Sequence, residues 1–229
     1  MGAAQRFRST VPAAGRRGRA VVAAVSALLA LVVVPACQPT SGPGGCTVGI
    51  VGDSLTQGVE PHLGGFVAQR GCTLTFVSAV KSRFTEDGVQ TVENIARLGF
   101  LPDVLVVALG TNDSADPFAF SARIDRVMQA VGPRRVIWVN IDRAATEASL
   151  DAALGQADAR YANLTVYDWN SFADAHPQIK ARDGIHLTPG GYVLRAALIA
   201  DQVTPPAPPD TSPPTEATPP VPQPVPPPS

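Results

Sequence analysis

The 229 residues carry a formal net charge of −1, with 16% charged and 45% hydrophobic residues. Past Arg19 no cluster of Lys and Arg remains, which excludes a nucleic-acid partner held by a basic face. Once its two biased ends are set aside, the chain has the length of one domain with one core.

At the N-terminus Arg6, Arg8, Arg16, Arg17 and Arg19 precede an almost unbroken apolar run from Ala20 to Val34. A basic flank followed by about 15 apolar residues has the form of an export signal. It falls short of the roughly 20 residues that span a bilayer as a helix. Residues 1–36 are therefore read as a signal peptide. Val34-Pro35-Ala36-Cys37 is similar to the lipobox of bacterial lipoproteins, which implies lipidation of Cys37 as the new N-terminus; cleavage near Ala36 by ordinary signal processing is the plain alternative. The expected location is the cell envelope, with membrane contact only through that lipid, or the exterior as a secreted protein. Residues 37–45, rich in Pro, Gly and Ser, form a short tether.

The folded part is expected over 46–203. Apolar β-rich runs at Thr47–Val51, Leu74–Val80, Val104–Leu109, Val136–Asn140 and Leu164–Asp168 read as strands, several of them continuous as buried parallel strands require. Between them lie helical patterns near Val59–Gln69, Asp87–Leu98, Pro117–Val131 and Ala145–Tyr161. A last helix is announced by Thr188 as N-cap and Pro189 at its first position, with Val193, Leu194, Ala197 and Leu198 on one face. Strand–helix alternation predicts an α/β sheet covered on both faces. Lipidation of Cys37 would leave Cys46 and Cys72 as an even pair, each leading into a strand; adjacent parallel strands would bring them together as a disulfide, and two free buried thiols are the alternative. Residues 204–229 are Pro-rich with little to bury, and read as an extended tail.

Three short segments carry the chemistry. Gly52-Asp53-Ser54-Leu55 ends the first strand, which puts Ser54 on the carboxyl edge of the sheet where open α/β folds bind ligands. Taken alone, Asp and Ser after a strand often only cap the next helix. Gly110-Thr111-Asn112-Asp113 ends the third strand on the same edge, so the Asn112 amide is a candidate oxyanion donor, although Asn is also a common turn residue. Asp183-Gly184-Ile185-His186 precedes the last helix. A general base needs an imidazole whose second nitrogen is held by an acceptor, and Asp183 lies three residues upstream of His186 across a glycine turn. His62 and His176 have no such neighbour and are assigned no catalytic role.

In this order the three segments resemble blocks I, III and V of the SGNH/GDSL hydrolase family. The likeness spans Cys46 to about Val203 and implies a flavodoxin-like three-layer α/β/α fold with a mostly parallel five-stranded sheet. It also implies Ser54 as nucleophile, Asp183 and His186 as the remaining catalytic pair, and Asn112 with the Ser54 N–H as oxyanion donors. Block II departs from the family pattern: Ser82 stands where the family has a glycine, in Val80-Lys81-Ser82-Arg83. Its N–H can still donate without strain if its φ is negative. That segment is similar to SGNH domains associated with polysaccharide O-acyltransferases, and Arg83 is a candidate contact to a glycan hydroxyl or carboxylate.

The function expected from these residues is ester hydrolysis through an acyl-enzyme on Ser54, with no cofactor and no metal. Aromatics are 6% of the chain, which favours a short acyl group over a lipid chain. The substrate is a small-molecule or glycan ester, and the chain is expected to act as a monomer. The rival readings are an O-acyltransferase acting on an envelope polysaccharide and a non-catalytic envelope-binding lipoprotein.

Overall fold

The computed structural model describes residues 45–204. The signal peptide, Cys37 with most of its tether, and the Pro-rich tail beyond residue 204 lie outside the described residues.

Five strands, β1 (Cys46–Gly52), β2 (Cys72–Ala79), β3 (Val104–Ala108), β4 (Arg135–Val139) and β5 (Leu164–Tyr167), form one sheet in the order β2-β1-β3-β4-β5. Every neighbouring pair is parallel. Helices α1 (Ser54–Gln69), α2 (Thr85–Arg97), α3 (Pro117–Val131), α4 (Glu147–Arg160), α5 (Trp169–Ala175) and α6 (Pro189–Gln202) cover both faces. The strand period of two divides the core: Val48 and Ile50 of β1 and Val104 and Val106 of β3 pack with α1, α5 and α6. Val51, Leu105, Val107 and Trp138 pack with α2, α3 and α4 on the other side. Because both faces are covered, the central strands are continuously apolar, the property that made them legible as buried strands.

All five expected strands are present, and the helices differ chiefly at their ends. The first begins at Ser54 rather than Val59, because the Asp53 side chain caps it by accepting from the Leu55 N–H at 2.9 Å. Gly58 and Pro61 sit inside it without ending it. A Cβ at Gly58 would stand 2.0 Å from the Tyr192 ring of α6, so this glycine serves close helix packing. Helix α5 and a 3-10 turn at Pro177–Ile179 were not expected; at seven and three residues they are too short to show a helical period. The last helix is capped as expected, the Thr188 hydroxyl accepting from Gly191 N–H at 3.1 Å.

Cys46 and Cys72 are register partners at the start of β1 and β2, and they are disulfide-bonded with a Cα–Cα distance of 4.5 Å. Of the two alternatives that the sequence left open, the structure takes the bridge. The turn after β2 holds a second departure: Ser82 has φ of +57°, not the negative value that would leave a serine unstrained there. A left-handed backbone costs a non-glycine residue about 1–2 kcal/mol.

Two measurements follow from these features. Replacing both Cys46 and Cys72 by Ser should lower unfolding free energy by about 3–4 kcal/mol in the chain-entropy model, given a sequence separation of 26; an unchanged urea midpoint would show that the bridge adds nothing. Ser82→Gly relieves the left-handed strain while adding unfolded-chain entropy, for a net gain of about 0.5–1 kcal/mol. A loss of stability in that variant would mean that the serine side chain, not its backbone, holds the turn.

Candidate active site

The site is built at the carboxyl ends of β1 and β3 and on the segment before α6. Gly52, the last residue of β1, has no room for a side chain: a Cβ would lie 1.8 Å from Thr56 Oγ1 and 3.0 Å from the Ala108 carbonyl oxygen. That close approach lets β1 pass directly into α1, whose first residue is Ser54. The Ser54 N–H therefore stands in the first turn of a helix, where it has no partner within the helix and where the helix dipole favours negative charge.

Ser54 Oγ lies 3.0 Å from His186 Nε2. On the far side of the ring, His186 Nδ1 lies 2.7 Å from Asp183 Oδ2. The other oxygen of Asp183 accepts from the Ile185 N–H at 3.0 Å and the His186 N–H at 2.9 Å. These bonds fix the orientation of the ring: with Asp183 accepting the Nδ1 proton, Nε2 presents its lone pair to the Ser54 hydroxyl. The bond from the His186 ring, aided by the two backbone N–H groups, pulls the Asp183 carboxyl down to about 2, so it is ionised near neutral pH. Gly184 supplies the turn, with φ of +71°. The side chains of His186 and Asp183 are 40% and 51% exposed, which leaves the relay open to water and to large substrates.

Asn112 reaches the same edge, but its amide is already engaged. Nδ2 donates to Asp53 Oδ2 at 3.2 Å and to the Arg83 carbonyl at 3.1 Å, which uses both of its hydrogens. Donation to an oxyanion therefore requires one of these bonds to be shared or exchanged. Ser82 is exposed at the turn after β2. Arg83 is placed differently from a substrate contact: it is 8% exposed, and its guanidinium turns inward to the Gly52 carbonyl at 3.1 Å, the Ser78 carbonyl at 2.5 Å and the Ser78 hydroxyl at 3.2 Å. It ties the ends of β1 and β2 together. Asp113, next to Asn112, accepts from the Thr85 N–H and hydroxyl and from Arg123, so it anchors the start of α2.

Sequence reasoning missed the layer beneath. Asp53, 1% exposed, is more than a helix cap, because its second oxygen holds Asn112. Burial raises its pKa, opposed by the Leu55 N–H bond and by the charge of Arg195. Arg195 of α6 is 3% exposed and lies over the Trp169 ring at 4.4 Å. Its Nε and Nη1 have no hydrogen-bond partner among the described residues, and burial lowers its pKa to about 10. The buried face of α6 runs through Gly191, Arg195, Ala196, Ile199 and Ala200, not through the expected Val193, Leu194, Ala197 and Leu198, of which Val193 is exposed. His176 stacks on Phe172 at 4.2 Å and bonds the Phe172 carbonyl, outside the site. Of the phenylalanines that follow β2 and β3, Phe120 is fully buried against Trp138, whereas Phe84 and Phe118 are exposed. Among the described residues no group of three or more His, Cys, Asp or Glu side chains is arranged to hold a metal ion.

No protein-family model matches the chain. Over 151 residues, 65% of its length, it is 28% identical to YrhL of Bacillus subtilis (strain 168), whose name marks it as a candidate peptidoglycan O-acetyltransferase. The match covers 22% of that protein, so the chain spans about a fifth of this relative. Among solved structures the chain is similar to the C-terminal catalytic domain of Streptococcus pneumoniae peptidoglycan O-acetyltransferase A. That likeness has a TM-score of 0.55 and 22% identity, covering 70% of this chain and 91% of that one. It is also similar to a Clostridium thermocellum family 3 carbohydrate esterase, with a TM-score of 0.58 and 15% identity over 70% of this chain and 99% of that one. These likenesses establish the fold, a parallel α/β/α sandwich, as the three sequence blocks implied.

Proposed function

We propose that the chain is a serine esterase of the cell envelope that removes short acyl groups, acetyl foremost, from a glycan. The observation that carries this reading is the relay from Ser54 through His186 to Asp183, at 3.0 and 2.7 Å. His186 Nε2 takes the Ser54 proton as Oγ attacks the ester carbonyl, and the imidazolium is stabilised by ionised Asp183. The oxyanion is met by the Ser54 N–H at the start of α1, by the Asn112 amide once it exchanges a bond, and by the Ser82 N–H. The same imidazolium then protonates the departing alkoxide. Water, activated by His186, attacks the acyl-Ser54 ester and regenerates the enzyme. Envelope location rests on the N-terminal basic and apolar segment.

Transfer of the acyl group to a sugar hydroxyl is the second reading. It is favoured by likeness to two proteins whose names refer to peptidoglycan O-acetylation. The two readings share the acyl-enzyme and differ only in what attacks it.

Ser54→Ala and His186→Ala should each lower kcat on p-nitrophenyl acetate by about a thousandfold or more. Asn112→Ala should cost about a hundredfold in kcat, the scale of one oxyanion donor. Near-normal turnover by Ser54→Ala would end the esterase reading, and an Asn112→Ala effect confined to KM would move that residue to substrate binding. With p-nitrophenyl acetate and a cell-wall oligosaccharide supplied together, the labelled acetyl group should appear mainly as free acetate. Its recovery mainly on the sugar would establish the transferase reading instead.

A further inference from the structure

Beside the relay lies a cleft of about 350 Å³, in the size range of ligand sites. One wall is the connection from β4 to α4, with Ala145 and Glu147; the other is the stretch from Asp174 and Lys180 to Asp183 and Ile185. Neither Ser54 nor His186 lines it, so the cleft does not hold the ester carbonyl. It adjoins Asp183, one imidazole away from Nε2. Nε2 hands its proton to the leaving oxygen, so the alcohol half of the ester sits beside His186, the residue that separates Ser54 from this cleft.

The lining chemistry points the same way. Four carboxylates, Asp142, Glu147, Asp174 and Asp183, face two cations, Arg143 and Lys180. Lys180 Nζ is held by Asp142 at 2.7 Å and Asp174 at 3.1 Å, while Arg143 gives one of its five N–H donors to the carbonyl of Thr111 and has the others free among the described residues. The Glu147 carboxylate has no hydrogen-bond partner among the described residues, and Asp142 and Asp174 each use only Oδ1 on Lys180. The cleft thus offers carboxylate acceptors beside guanidinium donors, with a formal charge of −2. An acyl chain would find six charged side chains there. A hydroxyl-rich ligand would find partners for its donors, and an anionic one would be repelled.

Building on the esterase reading, we infer that this cleft is a carbohydrate subsite: it takes a sugar unit neighbouring the one that bears the ester, and it selects neutral or amine-bearing glycans over acidic ones. The enzyme is then specific for oligosaccharide esters, and a small aryl ester bypasses the cleft altogether.

The test compares the wild type with Ala145→Trp, which fills the cleft from an exposed loop position, and with Glu147→Gln, which removes a charge without changing shape. Ala145→Trp should lower kcat/KM on O-acetylated chitotetraose at least tenfold while hydrolysis of p-nitrophenyl acetate stays within twofold. The wild type should favour O-acetylated chitotetraose over an O-acetylated galacturonate tetramer at least tenfold, and Glu147→Gln should narrow that preference. Titration of each protein with unacetylated chitotetraose by NMR should show binding weakened at least tenfold by Ala145→Trp. Equal loss on both substrates, no loss on either, or unchanged chitotetraose binding overturns the subsite. If Ala145→Trp does not fold, an unaltered preference in Glu147→Gln overturns it. Absence of Ser54-dependent hydrolysis of p-nitrophenyl acetate would instead remove the esterase reading, while the binding titration still decides the cleft.

Discussion

The site hangs on the buried carboxylate of Asp53. One oxygen holds the Leu55 N–H, which starts α1 at Ser54 and fixes where its hydroxyl stands; the other holds the Asn112 amide, which fixes where the end of β3 delivers that side chain. At 1% exposure such a charge pays a desolvation cost, and burial does push the carboxyl toward its neutral form. Arg195 lies behind it as a second buried charge, cushioned by the Trp169 face rather than by a direct ion pair. One carboxylate thus couples two strand ends and a helix start, and a small shift of Asp53 would displace the Ser54 hydroxyl and the Asn112 amide together.

Around this fixed layer the relay itself is exposed. His186 and Asp183 sit on a glycine turn at the surface, with a carboxylate that needs no burial because backbone N–H groups and the imidazole hold it ionised. The division of labour is physical. Groups that must keep their position are buried and bonded several times, while those that must meet a bulky substrate are accessible. The inward-turned Arg83 belongs to the first class: its bonds to Gly52 and Ser78 hold the rims of β1 and β2 at a fixed spacing beside the nucleophile.

The strands were legible because continuous apolar runs in a chain of alternating pattern leave few alternatives, and the relay was legible because Ser54, Asp183 and His186 fall at strand ends and before a capped helix. What escaped the sequence were relations between distant side chains. Nothing local to Asn112 announces that its amide faces Asp53, and Arg83 looks like a surface cation until the backbone folds over it. The left-handed Ser82 is hidden for a different reason: a serine at φ of +57° is a tolerated cost, and no composition rule records which residue bears it. Arg195 was hidden as well: the expected apolar face of the last helix leaves it out, and the carboxylate whose charge it feels lies 142 positions away, at Asp53.

The Cys46–Cys72 bridge closes the edge of the sheet opposite to Ser54, since these residues begin the strands whose far ends carry the chemistry. The domain's exit is there too: both sulfur atoms approach the Val203 carbonyl, and Arg135, at the start of β4, bonds the carbonyl of Thr204. Entry and exit therefore share one pole, stapled by a covalent bond, and the reactive pole faces away from both. A domain wired in this way has a stem. It can be suspended from a surface or joined to a neighbour through either end, or through both at once, with the edge that bears Ser54 still presented outward.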